Sequence, residues 1–178
     1  MDIRRVTSGG TVGVAQSSND NAKRAEAIQS RASGGLLIPR VSVFRKEAQT
    51  IPHNTWTGIG FDFEEFDTDL IHEGATDDEF LFTTDTAGVW SISMGAYWAT
   101  NTTASRRMRL RINDTATLPQ SETRIMATGA TADGDAVLQS AFIATLQEGD
   151  SIKAQVAQFS GDPVDITLAY FQAFRIGI

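Results

Sequence analysis

The sequence holds no cysteine and only two histidines, His53 and His72. The first absence removes disulfide staples, thiolate metal centres and cysteine nucleophiles. The second leaves little from which to build a hydrolytic triad or an imidazole metal site. The two histidines stand in unrelated segments without metal-ligand spacing, so both are expected in loops or at the surface. No Gly-x-Ser-x-Gly elbow, phosphate-binding loop, dinucleotide fingerprint or His-Glu-x-x-His is present, and no enzyme is expected. No apolar run is long enough to span a bilayer, and Met1-Asp2-Ile3-Arg4-Arg5 does not lead into the apolar core of a signal peptide, so no membrane insertion is expected.

What is present is acidic and unevenly charged. Up to Arg40 there are six Lys/Arg against three Asp/Glu; the remainder carries nine against nineteen. A basic arm that docks on an acidic surface, joined to a body kept soluble by self-repulsion, is the reading this asymmetry supports. The arm, residues 1–39, has little periodicity. One helix is expected in it, from a cap at Asn19 or Asp20 through Ser33, ended by Gly34-Gly35. Its apolar stripe of Ala22, Ala25, Ile28 and Ala32 is thin, so it would need a partner surface. Arg4, Arg5, Lys23, Arg24, Ile28 and Arg31 are the candidate anchoring residues.

In the body, residues 40–178, the apolar period changes to two. Val41 and Val43, then Trp56, Ile59, Phe61 and Phe63, begin the strand signals. Trp90, Ile92, Met94 and Ala96 share one face of Val89–Trp98. Met108, Leu110 and Ile112 alternate with Arg107, Arg109 and Arg111. Leu138, Phe142 and Leu146 share a face, and Ile152, Ala154 and Val156 alternate with Lys153 and Gln155. The closing run puts Ile166, Leu168, Tyr170, Phe174, Ile176 and Ile178 on one side and Ala169, Phe171 and Ala173 on the other. Gly, Asn and Asp clusters separate the runs, as at Ala87-Gly88, Asn113-Asp114 and Glu148-Gly149-Asp150. Many short strands with regular turns predict an all-β antiparallel sandwich.

Three stretches carry a resemblance. Phe80-Leu81-Phe82-Thr83-Thr84-Asp85-Thr86-Ala87-Gly88-Val89-Trp90-Ser91-Ile92-Ser93 is similar to a strand, turn and strand built around a Gly followed by an apolar residue and an aromatic. Leu146-Gln147-Glu148-Gly149-Asp150-Ser151-Ile152 is similar to a Leu-x-x-Gly-Asp-x-Val turn. Tyr170-Phe171-Gln172-Ala173-Phe174-Arg175-Ile176 is similar to an aromatic-rich closing strand. In this order, with Met108–Asn113 as a strand ending at an Asn turn, they resemble the C1q/tumour-necrosis-factor jelly-roll superfamily, in its complement-like branch. Trp90 stands where that family usually has Tyr, and no collagen-like stalk precedes the body. The resemblance implies a jelly-roll sandwich that forms a homotrimer. A closing strand apolar on both faces must have both covered; the resemblance implies a neighbouring subunit around a threefold axis on one of them. Trp90, Tyr97, Trp98, Tyr170, Phe171 and Phe174 are the candidate trimer-interface residues.

Two other clusters carry charge. Asp62, Glu64, Glu65, Asp67 and Asp69, with Asp77-Asp78-Glu79, could hold calcium through oxygen ligands, as some complement-type heads do, or serve glycoside hydrolysis. Solvated acidic loops are the expectation, with no EF-hand-type loop, no cofactor and calcium as the one ion to consider. Arg106, Arg107, Arg109 and Arg111 are expected to pair across strands or subunits with carboxylates, and an acidic body argues against a nucleic-acid partner. The sequons at Asn101 and Asn113 are read as coincidental.

Together these parts suit a virion structural protein of a bacteriophage: a homotrimeric capsid decoration or head-fibre protein, anchored by its arm to a partner such as a major capsid protein, with the head outward. A receptor-binding tail-fibre tip, or a bacterial adhesin module that binds a host-surface glycan or protein, is the alternative. A cupin-type enzyme would need clustered histidines.

Overall fold

Twelve strands pack as two antiparallel sheets in the computed structural model, which describes residues 38–72, 79–81, 86–113, 116–117, 123–126 and 136–178. The expected helix and the anchoring residues of the arm lie outside the described residues, as does Asp77-Asp78. All described elements are strands: β1 Arg40–Arg45, β2 Gln49–Ile51, β3 Thr57–Gly58, β4 Phe63–Asp67, β5 Glu79–Leu81, β6 Gly88–Trp98, β7 Ser105–Ile112, β8 Ala116–Thr117, β9 Thr123–Met126, β10 Ala136–Leu146, β11 Ser151–Gln158 and β12 Val164–Gly177. The first sheet runs β10-β6-β12-β1-β4, with β2 beside β12. The second runs β3-β11-β7-β8, with β5 beside β11 and β9 beside β7. From β5 onward the chain repeatedly crosses from one sheet to the other, and the first and last strands pair at the centre of the first sheet. That is jelly-roll topology.

The alternation explains the core. Trp90, Ile92, Met94, Ala96 and Trp98 of β6 point inward and meet Met108 and Leu110 of β7 and Ile152, Ala154 and Val156 of β11, all buried. Phe80 of β5 stacks on Phe171 of β12, ring centroids 3.8 Å apart, and so ties one sheet to the other. Phe61 packs against both rings. Each such fully buried aromatic removes some 150–250 Å² from water.

The turn residues earn their positions by geometry. Gly88 opens β6 at φ +140°, where a Cβ would collide with the Gly177 carbonyl oxygen. Two residues on, the Trp90 indole N–H donates to the Thr86 carbonyl at 2.8 Å. At the β10–β11 turn Gly149 adopts φ +82°. Asp150 accepts from the Gln147 N–H at 2.7 Å and from Asn113 Nδ2 at 2.8 Å, while Asn113 Oδ1 accepts from the Ser151 N–H at 2.8 Å. Two motifs far apart in sequence thus close on each other.

The single-face reading of the closing strand needs correction. The β12–β6 ladder shifts between Ile166 and Leu168. This bulge moves Ile166 onto the buried side with Ala169, Phe171 and Ala173, and leaves Leu168, Tyr170, Phe174 and Ile176 on the opposite side. Phe61 and Phe63 also part company: Phe61 is buried and Phe63, in β4, is exposed.

Candidate functional site

The side of the first sheet turned away from the core is built row by row from the register. Phe44 of β1 lies opposite Phe63 of β4 and Tyr170 of β12; Ser42 lies opposite Phe66 and Gln172; Arg40 lies opposite Phe174. On the other flank Tyr170 faces Gly95 of β6, Gln172 faces Ser93, and Phe174 faces Ser91. Beyond them Tyr97, Ser93 and Ser91 face Val137, Ala141 and Ile143 of β10. From Leu168 onward the outward residues of β12, and those of β6 and β10, are uncharged, and several are large and open to water: Ile143 is 62%, Phe174 51% and Ile176 50% exposed. Charge enters at Asp165, where β12 meets β2, and at the β1–β4 flank. There the Arg40 guanidinium lies 4.8 Å from the Phe66 ring centre, Lys46 Nζ sits 3.0 Å over Phe63, and Glu65 accepts from Ser42 Oγ at 2.9 Å.

The surface has relief. Tyr170 lies across Gly95, where a Cβ would run into the ring; glycine gives the tyrosine a flat seat. Gln172 Nε2 donates to Ser42 Oγ at 3.2 Å, which ties β12 to β1. Between Phe66 and Phe174, over Ser91, Ser93 and Gln172, lies a groove of about 380 Å³. An uncharged, partly aromatic sheet face with a shallow groove suits contact with another protein surface.

Of the six residues assigned to an interface from sequence, three lie here: Tyr97, Tyr170 and Phe174. Trp90, Trp98 and Phe171 do not. Each is 0% exposed in the interior of the single chain, so their rings are already covered without a partner. Sequence reasoning missed Phe44, Phe63, Phe66, Val137 and Ile143. Ile143 was the legible one, since it alternates with the buried face of Leu138, Phe142 and Leu146.

The remaining clusters resolve into separate structural tasks. Asp62 accepts from the N–H groups of Lys46 and Glu47 at 2.8 and 2.9 Å and lies 3.5 Å from the Arg45 guanidinium. Asp67 is buried and accepts from the His72 N–H at 2.7 Å. Burial pushes its carboxyl up to about 6, against the lowering effect of the His72, Ile71 and Asp69 amides. Among the described residues no three His, Asp or Glu side chains converge on a metal-sized site. His53 is exposed, and its Nδ1 accepts from the Gly161 N–H at 2.9 Å. His72 departs from the surface expectation: it is buried against Phe61 and Phe80.

Arg106 also departs. It points inward and is fully buried, and its guanidinium donates to the carbonyls of Thr103 at 3.0 Å and of Ser105 and Asn101 at 3.4 Å. Desolvation lowers its pKa. Arg107, Arg109 and Arg111 share the outer face of the second sheet, but the residues across from them on β11 are Ala157, Gln155 and Lys153.

No family model matches the sequence, and no curated protein matches it. Solved structures do. The globular domain of zebrafish complement 1qA is similar at TM-score 0.56 and 20% identity, covering 78% of this chain and 97% of that one. Murine APRIL is similar at TM-score 0.57 and 11% identity, over 79% of this chain and 100% of that one. The PRD1 vertex protein P5 is similar at TM-score 0.53 and 12% identity, over 78% of this chain and 97% of that one. With the strand order and the turns at Gly88 and Asn113–Asp150, these likenesses identify the fold: the chain is a C1q/TNF-like jelly roll.

Proposed function

We propose that this protein is a structural component of a virus particle, a homotrimeric jelly-roll head carried as capsid decoration or head fibre and docked through residues 1–39. The observation that carries the reading is the uncharged outer face of β6, β10 and β12 from Leu168 onward, with Ile143, Phe174 and Ile176 half or more exposed. A soluble chain does not keep such a face in water. The edge adds to the case. Among the described strands β10 pairs only with β6, and its 11 residues hold no charge and no proline. An edge of this kind invites pairing unless something covers it. Three chains in a closed ring cover both features at once, the edge of one subunit against the sheet face of the next.

The particle reading draws on the likeness to a vertex protein and on the charge split between a basic arm and an acidic body. In this reading the arm meets an acidic surface of a capsid protein, the head projects outward, and the work is done by assembly without catalysis or cofactor. Removing residues before Pro39 tests it. The truncated protein should remain a trimer and no longer co-purify with particles. Particles that still incorporate it would refute the anchoring role, and a truncated monomer would refute the head as the trimerising unit.

A further inference from the structure

We propose that Ile143 of one subunit seats in the groove between Phe66 and Phe174 of the next, and that this contact fixes how the copies meet. The inference rests on the trimeric reading above and names the residues that carry it. β10 presents Val137, Gln139, Ala141, Ile143 and Thr145 on its outer face. Ile143 stands between the small Ala141 and Thr145 and is 62% exposed. A branched aliphatic side chain flanked by short ones is a knob. Among the described strands β10 pairs only with β6, so the knob projects from the margin of its own sheet.

β6 supplies the opposite relief. Its outward residues Ser91, Ser93 and Gly95 are all small, while Gln172 and Phe174 of β12 and, beyond β1, Phe66 of β4 are large. Ile38, Phe66 and Phe174 line the resulting groove of about 380 Å³ with carbon. Its walls are held in place. Gln172 donates to Ser42 Oγ at 3.2 Å, and Ser42 donates in turn to Glu65 at 2.9 Å. Arg40, the one charged residue of the lining, is turned onto the Phe66 ring, 4.8 Å from its centre. A side chain that enters therefore meets fixed apolar walls that lose little freedom on contact.

Knob and hole belong to one face, which points to a second copy of the chain as the occupant. Ser91 lies opposite both Ile143 and Phe174, so the two features sit about two strand spacings apart, roughly 10 Å. They are different patches, so one copy's knob in another's hole is a heterologous contact, which closes into a ring or runs on as a filament. A separation of about 10 Å is the chord of a threefold turn around an axis about 6 Å from each feature. A ring of three therefore brings every Ile143 to a groove near its centre. A foreign partner in the groove would leave Ile143 in water, whereas a second copy covers both.

Cysteine cross-linking of the full chain tests the seat, because the sequence has no cysteine of its own. In Ile143→Cys/Gln172→Cys the two Cα atoms of one chain are more than about 10 Å apart, beyond disulfide reach. With copper phenanthroline as oxidant this variant should run as a covalent trimer without reductant and as a monomer with it. Val137→Cys/Gln172→Cys moves the first thiol about 20 Å along β10 and should stay uncross-linked. Ile143→Ala shortens an exposed side chain without touching the core, and sedimentation should show trimer assembly weakened about 10³-fold. A trimeric parent whose first cysteine pair does not cross-link, a second pair that does, or an Ile143→Ala variant that assembles like the parent would each overturn the seat and leave the trimer standing. A monomeric parent would overturn the trimer and the seat together.

Discussion

Phe171 and Phe174 lie three residues apart on one strand and should fail in different ways. Phe171 is 0% exposed and stacks on Phe80 across the two sheets. Phe171→Ala removes a buried ring and leaves a cavity, at about 3–5 kcal/mol of folding stability. Phe174 is 51% exposed on the opposite face, in the row with Arg40 and Ser91. Half of a phenylalanine surface is roughly 100 Å², worth about 2.5 kcal/mol per chain once a neighbour covers it. Counted three times in a closed trimer, that is about 7 kcal/mol, on the order of a 10⁵-fold loss in the assembly constant. Sedimentation over a dilution series, paired with urea unfolding at each concentration, separates the two effects. Phe174→Ala should shift assembly to higher concentration and make the unfolding midpoint more concentration-dependent. Phe171→Ala should lower the midpoint at every concentration. If Phe174→Ala leaves assembly intact, or destabilises the fold as much as Phe171→Ala, the assignment of faces is wrong.

Three further outcomes follow from the geometry. Asp67 titrates at about 6 in the fold against 3.8 as the reference; the neutral acid is therefore the form the fold favours, and the stability it adds is complete below about pH 3.8 and lost as pH rises through about 6, about 3 kcal/mol in all. Urea unfolding of Asp67→Asn between pH 4 and 7 should show a flatter pH profile than the parent, and parallel profiles would rule out Asp67 as the source. Gly95→Val should displace Tyr170 from its seat and cost about 1–3 kcal/mol or weaken assembly; a variant unchanged in thermal unfolding and in mass would contradict the close packing. A double-mutant cycle on Asn113→Ala and Asp150→Ala should return a coupling of about 0.5–1 kcal/mol, while strict additivity would mean that the two turns do not support each other.

Where a strand is regular, its core face could be read directly from the sequence. β6, β7 and β11 alternate without interruption through their apolar runs, so Ile92, Met108 and Ile152 declare their side by period alone. β12 could not be read that way. It is apolar on both faces, and the bulge after Ile166 inverts the alternation at a point no residue marks. The same ambiguity put Trp90, Trp98 and Phe171 at an interface, because size and aromaticity do not distinguish a sandwich interior from a covered exterior. Phe44, Phe63 and Phe66 were out of reach for a different reason. They come together only through the β1–β4 pairing, itself irregular between Ser42 and Val43, and Glu64-Glu65 hides the pattern. The arginine alternation on β7 was legible; its aromatic partners Trp56 and Phe159, distant in sequence, were not.

The central claim is that the uncharged face of the first sheet is closed by two further copies of the chain. Sedimentation equilibrium of the full-length protein at micromolar concentration tests it most directly. A single species at three times the 19.3 kDa chain mass is predicted. A monomer at that concentration would contradict it.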